Sequence, residues 1–345
     1  MVSCSPRRSI PATKASTAAS TVKTSSAPSS LMFAMAGITS CARAAPAAAR
    51  PIDSARMVDS SAAGRRLARE SKEKNMRGLV ICLSLAVAAA TPLSAHEFWI
   101  EPLDYAVAAD GKVAGDLVNG QNFEGALHSY LPQRFTRFEL ALGETVAPVE
   151  GRLGDRPALN MDPLGAGVHV AAFESAINIV RYDDLQQFVD FAASKSLRDA
   201  EARHRAAGYP MENIGEAYTR HTKALVAVED GAGSDRALGL ATEMVALANP
   251  YTDDVTGGLP VQVLYDQAPR ADVQVELFQK APDGSVTLQK LRTDASGTVV
   301  LPVSPGHAYL VNSVVLRPAA PELAELQNVV WETLWASLVF SVPAP

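Results

Sequence analysis

Between residues 257 and 342 the chain is a succession of short apolar or alternating runs cut by turn signals, and this punctuation constrains the fold more than any other feature. The runs are Leu259–Tyr265, Val273–Gln279, Val286–Arg292, Thr298–Val303, Ala308–Leu316 and Ala336–Val342. Asp283-Gly284, Asp294-Ala295-Ser296-Gly297 and Pro305-Gly306 separate them. Runs of this length at this spacing predict the strands of an antiparallel sandwich.

Residues 96–255 read as a second β-rich region. Phe98–Glu101 is a short strand stopped by Pro102. Val113–Phe123 alternates imperfectly and ends in the turn or bulge signal Asn119-Gly120-Gln121-Asn122. Phe135–Leu142 returns through Gly143-Glu144 into Thr145–Val149, a hairpin. His169–Ile179 is β-leaning. The period then changes: Leu185, Phe188, Val189, Phe191 and Ala192 recur at helical spacing behind Asp183 and Asp184, which predicts one helix over about 182–207 lying on a sheet. Glu212–Val228 is mixed, with Ile214, Tyr218 and Leu225 suiting a helix face and Ala224–Val228 a strand. Leu238–Leu247 reads as a strand ended by Asn249-Pro250.

Charge divides the chain. Residues 1–75 carry 12 Lys/Arg against 4 Asp/Glu, a net of +8, whereas residues 96–345 carry 18 against 33, a net of −15. An acidic body repels a phosphate backbone, so nucleic acid is not an expected partner. The three cysteines (Cys4, Cys41, Cys82) all precede residue 96, so the body has no disulfide, thiolate metal site or cysteine nucleophile. Leu79–Ala90 is a twelve-residue apolar run, short for a membrane span and suited to a secretory h-region. Met76-Arg77 stands before it and Leu93-Ser94-Ala95 after it. The expectation is a signal peptide at 76–95, a periplasmic protein with no stable membrane insertion after cleavage, and a stretch 1–75 that forms no packed core. That stretch is either a spurious extension before a start at Met76 or a transit-like leader. Cleavage after Ala95 would begin the mature chain at His96, whose α-amine and imidazole can chelate one metal ion.

Several segments resemble the DUF4198 family of exported bacterial proteins: Ala95-His96-Glu97-Phe98-Trp99-Ile100-Glu101-Pro102, Gly120-Gln121-Asn122-Phe123-Glu124-Gly125, Glu216 to Leu225, Leu238-Gly239-Leu240 with Glu243, Asn249-Pro250-Tyr251, and the tail Trp331 to Phe340. The resemblance implies a periplasmic component associated with nickel or cobalt uptake. The pattern Val273-Gln274-Val275, Thr293 to Gly297 and Pro305 to Tyr309 resembles a transthyretin-like or carboxypeptidase-regulatory-like module, which binds or braces rather than catalyses. The fold expected is therefore mainly β, with two β-sandwich-type domains. The first, 96–255, carries the α-helical insertion, and the second, 257–342, is Ig- or transthyretin-like.

His96 is the sharpest candidate for chemistry, with His128 in a loop-like stretch and His169 in an apolar strand as the further metal ligands. His169 also suits a satisfied buried imidazole. His204, between Arg203 and Arg205, reads as solvated, His221 as packed, and His307 as a turn residue. No two histidines stand at i, i+3 or i, i+4. Imidazole with an amine suits one divalent transition metal, nickel, cobalt or copper. Asp183-Asp184 and Asp253-Asp254 read as solvated pairs. No dinucleotide fingerprint, P-loop, zincin helix or nucleophile elbow is present. The function expected is non-catalytic: a metal-binding or metal-uptake accessory protein with a metal ion and a membrane uptake system as partners and no organic cofactor. A metal-free structural scaffold and a histidine-brace copper oxidase are the alternatives.

Overall fold

The computed structural model describes residues 96–345; the proposed signal peptide (76–95) and the stretch 1–75 lie outside the described residues. The strands are β1 (Glu97–Pro102), β2 (Ala106–Val107), β3 (Val113–Gln121), β4 (Glu124–His128), β5 (Phe135–Leu142), β6 (Thr145–Pro148), β7 (Leu159–Met161), β8 (Gly167–Ser175), β9 (Asn178–Asp184), β10 (Glu212–Val228), β11 (Thr242–Ala246), β12 (Leu259–Tyr265), β13 (Ala268–Pro269), β14 (Gln274–Lys280), β15 (Val286–Arg292), β16 (Thr298–Leu301), β17 (Ala308–Pro318) and β18 (Trp331–Ser341). The helices are α1 (Leu185–Ser194), α2 (Ala200–Ala206) and α3 (Pro321–Gln327). The protein is mainly β, as its alternating runs predict.

Three sheets form layers. The central sheet has ten strands, in the order β15-β14-β17-β18-β10-β8-β5-β6, with β2 and β9 also pairing along β10. A front sheet (β1-β3-β4, with β7 on β3) covers part of one face. A back sheet (β11-β12-β13, with β16 on β12) covers the other. The sequence halves meeting at 255–257 share the central sheet. β18 pairs antiparallel with β17 and parallel with β10, from Glu216 opposite Trp331 to Ala224 opposite Val339. A parallel pair needs a long crossover, which the hundred-odd residues between these strands supply.

Burial on both faces explains the composition of the middle strands. On β10, Ala224, Val226 and Val228 pack toward the front sheet and Leu225 toward the back. On β18, Val339 faces front, and Ala336, Leu338 and Phe340 face back. Helices α1 and α2 share the front face, where Leu185, Phe188 and Phe191 pack on Ile214, Val314, Trp331 and Trp335.

Four expectations change. The region 182–207 is not one helix. Tyr182 belongs to β9, opposite Ile214, and α1 starts only after Asp184, whose carboxylate accepts the Gln187 N–H at 2.9 Å as the N-cap. Left-handed backbone at Ser196 (φ 51°) and Asp199 (φ 56°) then separates α1 from α2. Second, Glu212–Val228 is one seventeen-residue strand with no helical part. Third, the strand expected over 238–247 is confined to 242–246, because the N–H groups of Leu238, Gly239 and Leu240 turn inward to bind Glu243. Fourth, His204 is fully buried: its Nδ1 accepts Trp331 Nε1–H at 2.9 Å and its Nε2–H donates to the Pro210 carbonyl at 2.8 Å. Of its arginine neighbours, Arg203 lies over the Trp331 ring at 4.9 Å and Arg205 pairs with Glu201 on the surface.

Candidate functional site

Alternation along β10 sends Glu216, Tyr218, Arg220 and Thr222 to the front face. The front sheet ends and the helices begin there, so these groups line a polar seam sealed under both. Arg220 is only 8% exposed. Its guanidinium lies 4.1 Å from the Trp335 ring centre and 5.0 Å from that of Tyr218, within cation–π range. Arg220 Nη2 donates to the His96 carbonyl at 2.8 Å. Nη1 is buried without a hydrogen-bond partner, and no carboxylate of the described residues lies within ion-pairing distance of the side chain. Burial pushes the Arg220 pKa down to about 10, so the group stays cationic near neutral pH.

Two carboxylate clusters flank it. Glu216 accepts from Tyr182 Oη at 2.9 Å and from Thr333 Oγ1 at 2.5 Å. Thr333 Oγ1 in turn accepts Trp335 Nε1–H at 3.0 Å. Burial pushes the Glu216 carboxyl up to about 7, against the pull of both hydroxyls and of Arg220. On the other side Lys195, just past α1, joins Glu97 Oε1 (2.9 Å) to Glu276 Oε2 (2.7 Å) and ties the helices to β1 and β14.

A cleft of about 230 Å³ opens between the front and central sheets, with Arg220 in its wall. Phe98 stacks on Phe173 with centroids 5.2 Å apart, and Phe135 tilts against Phe173 at 5.6 Å. Asn119, Asn178 and Ser175 supply polar atoms, and Arg134 and His128 stand at the more exposed side. No Asp or Glu of the described residues lines the cleft, although residues 96–345 carry a net charge of −15. The hairpin β3–β4 that places Asn119 and His128 turns at Asn122 and Phe123, both with φ near +60°. Gly120 faces Gly125 across it, and a Cβ on Gly120 would meet the Glu124 carbonyl oxygen at 2.0 Å. The Gly120 to Gly125 motif is therefore a two-residue turn that admits no side chain at that rung.

The three predicted metal ligands do not come together. His169 is buried with both ring nitrogens engaged by backbone: Nε2 accepts Leu164 N–H at 2.9 Å, and Nδ1–H donates to the Gly167 carbonyl at 3.1 Å. Burial lowers its pKa. It is a structural imidazole with no free lone pair. His128 borders the cleft, its ring 6.0 Å from Phe98, and burial lowers its pKa first, with Arg134 and Arg156 adding to the effect. His96 is exposed. Through the rungs Ile100–Leu117–His128, the two histidines stand four residues and two strands apart, about 13 Å along the strands and about 10 Å across them. Among the described residues no group of three or more His, Cys, Asp or Glu side chains gathers to hold a metal ion. His221 is buried as expected, and His307 Nδ1 bonds the Pro305 carbonyl in a turn.

The other polar motifs brace the back layer. Lys223 is fully buried and binds Asp235 Oδ1 (2.7 Å), Glu243 Oε1 (3.1 Å) and the carbonyls of Arg236 and Met244. Asn249 donates to the carbonyls of Gly231 and Gly233, and Tyr251 Oη donates to that of Leu225.

Arg220, Glu216 and Lys195 are the residues that the sequence does not single out as a site. The available signal is Glu216, Tyr218 and Arg220 at alternate positions, one face of a strand.

Fold and site together define a layered, mainly β protein with a small arginine-walled cleft between two of its sheets. No described helix is long and apolar enough to cross a membrane. The chain belongs to the DUF4198 family, described as a domain of unknown function, whose profile matches residues 93–316. A comparison with curated proteins gives no match.

Proposed function

We propose that the protein is a non-catalytic binding protein that captures a small organic anion in the cleft between the front and central sheets. The observation that carries this reading is the lining of the cleft: Arg220 and Arg134 stand in a wall that no carboxylate of the described residues joins, within a strongly acidic body. An anion in the cleft would face two cations and no like charge. The aromatic walls offer the apolar surface typical of small-molecule sites. Export to the periplasm is part of the proposal and rests on the Met76 to Ala95 pattern.

The test is a titration of small carboxylates, phosphonates and sulfonates, followed by tryptophan fluorescence, to which Trp335 beneath Arg220 contributes. A saturable response to at least one of them, lost in Arg220→Met, is expected. No response to any of them would refute the reading.

Transition-metal capture is a second proposal, favoured by one observation. His96 is exposed at the edge of β1 with its carbonyl fixed by Arg220, so a chain cleaved after Ala95 would present its amine and imidazole there. Titrating such a chain with Ni²⁺, Co²⁺ and Cu²⁺ against His96→Ala tests it, and equal affinities would refute it.

A further inference from the structure

We infer that a second hollow, between the α1–α2 connection and strands β14 and β17, binds a doubly charged tetrahedral oxyanion, the charge and shape of a phosphate group, through Arg198, Arg203 and Arg270. This site shares no lining residue with the cleft between the front and central sheets and does not rest on the reading of that cleft. Three observations carry it.

The first is the balance of charge. The hollow, of about 200 Å³, is lined by Lys195, Arg198, Arg203 and Arg270, and Asp272 is the one Asp or Glu among its described lining residues. Lys195 and Lys290 are matched by Glu97 and Glu276 and add no net charge. Asp272 is shared by Arg198 (2.6 Å) and Arg292 (2.7 Å), so this trio keeps one positive charge. Arg203 and Arg270 form no ion pair among the described residues, and Asp199, one turn ahead of Arg203, is no exception. Burial pushes Arg270 down to about 10, and no carboxylate counters it. The local excess is therefore three positive charges, in a body whose residues 96–345 carry a net −15. A monocarboxylate would answer one of the three; a dianion answers two.

The second is accessible donors. Arg203 is exposed, stands in the wall of the hollow and lies over the Trp331 ring at 4.9 Å. A cation–π contact uses the charge and none of the guanidinium N–H groups, and no hydrogen bond of the described residues takes them. Arg198 is also exposed, with only Nη1 committed to Asp272. Arg270 supplies fixed charge: it donates to the Val314 carbonyl at 2.9 Å and to the Ser313 hydroxyl at 3.3 Å, beside the stretch of β17 that β14 leaves uncovered. The third is rigidity. The Ser196 hydroxyl donates to Gln274 Oε1 at 2.7 Å, and Gln274 Nε2 and Lys290 Nζ both donate to the Ser194 carbonyl, so the wall that carries Arg198 is pinned to β14 and β15. Cations held on three elements, the α1–α2 connection, α2 and the segment before β14, suit an anion with oxygens on several sides.

The experiment titrates the wild-type chain with inorganic phosphate, phenyl phosphate and acetate by calorimetry at about pH 8, where both phosphates are dianions. At least one phosphate is expected to bind at least about tenfold more tightly than acetate. The tighter of the two phosphates tells whether the free ion or a small ester is the form held. Arg203→Gln is expected to weaken phosphate binding at least about tenfold, the factor carried by one charge-assisted hydrogen bond, and Arg134→Gln in the wall of the cleft to leave it unchanged. Arg198→Gln, at a side chain 64% exposed, moves affinity in the same direction and decides the matter should Arg203→Gln fail to fold. Acetate as tight as phosphate, or phosphate affinity unchanged in both Arg203→Gln and Arg198→Gln, overturns the inference. Loss in Arg134→Gln with no loss in the other two variants also overturns it, and puts phosphate in the cleft. Silence of both phosphates overturns this inference alone, because the cleft is judged by its own panel of anions and by Arg220→Met.

Discussion

Replacing Glu216 with glutamine removes a carboxylate that the fold holds against its preference for water. In the unfolded chain this group titrates near 4.5, and in the native seam burial lifts it to about 7. Between those values the native state binds more protons than the unfolded state, so stability from this group falls as pH rises through the window. It is unaffected below 4.5 and at its lowest above about 7. The span corresponds to about 3 kcal/mol at about 1.36 kcal/mol per pH unit. His221 works in the opposite sense: burial lowers its pKa from 6.5 to about 4, so its contribution grows as pH rises between those values. The two trends oppose each other in the wild type, and the difference between wild type and Glu216→Gln isolates the carboxylate. Glutamine can still accept from Tyr182 or Thr333 but not from both as a carboxylate does, a pH-independent loss of about 1 kcal/mol. Urea unfolding at intervals from pH 4.5 to 8.5 is the assay. The variant is expected to gain about 3 kcal/mol on the wild type between the ends of that range. A difference that stays flat with pH would show that Glu216 is not a strained carboxylate and would refute the account of the seam.

The remaining predictions concern neighbouring groups. Lys223→Met leaves Asp235 and Glu243 buried without their cation and should cost about 3–5 kcal/mol in denaturant unfolding; a loss under about 1 kcal/mol would contradict the brace described for the back layer. Ionised Glu216, with Glu97, competes with a bound anion for Arg220, while Tyr182 and Thr333 stabilise the ionised form. A small carboxylate held in the cleft should therefore bind more tightly at pH 6 than at pH 8 and take up protons, seen as a buffer-dependent calorimetric enthalpy; a pH-independent affinity speaks against that coupling. His169→Ala should leave transition-metal affinity unchanged and cost about 1–3 kcal/mol, because Leu164 N–H and the Gly167 carbonyl lose their partner; weakened metal binding with unchanged stability would reverse that assignment.

Strands bounded by turn residues are legible from the sequence: β15 spans Val286–Arg292, and the β5–β6 hairpin turns at Gly143. β10 is not, because polar and apolar residues mix on both faces as far as Lys223 and its end is apolar on both, so neither period dominates. The break between α1 and α2 carries no glycine or proline; Ser196 and Asp199 adopt left-handed backbone under tertiary packing. Parallel pairing of β10 with β18 has no local signature at all. The site shares that difficulty. Arg220 stands alone in the sequence, and its meaning comes from Trp335 and His96, more than a hundred residues away on either side. His128 is the one predicted ligand that borders the cleft, and it does so as part of a wall.

The place of β18 has a consequence for assembly. Until residues 331–341 are available, β10 and β17 each present a long unpaired edge, that of β17 rich in apolar residues, and the halves of the central sheet have nothing to join them. A nascent chain paused near residue 320 is thus a sticky intermediate with two templates for wrong pairing. Native pairing must wait for the last strand to slide between two earlier ones, a non-local topology of the kind that folds slowly.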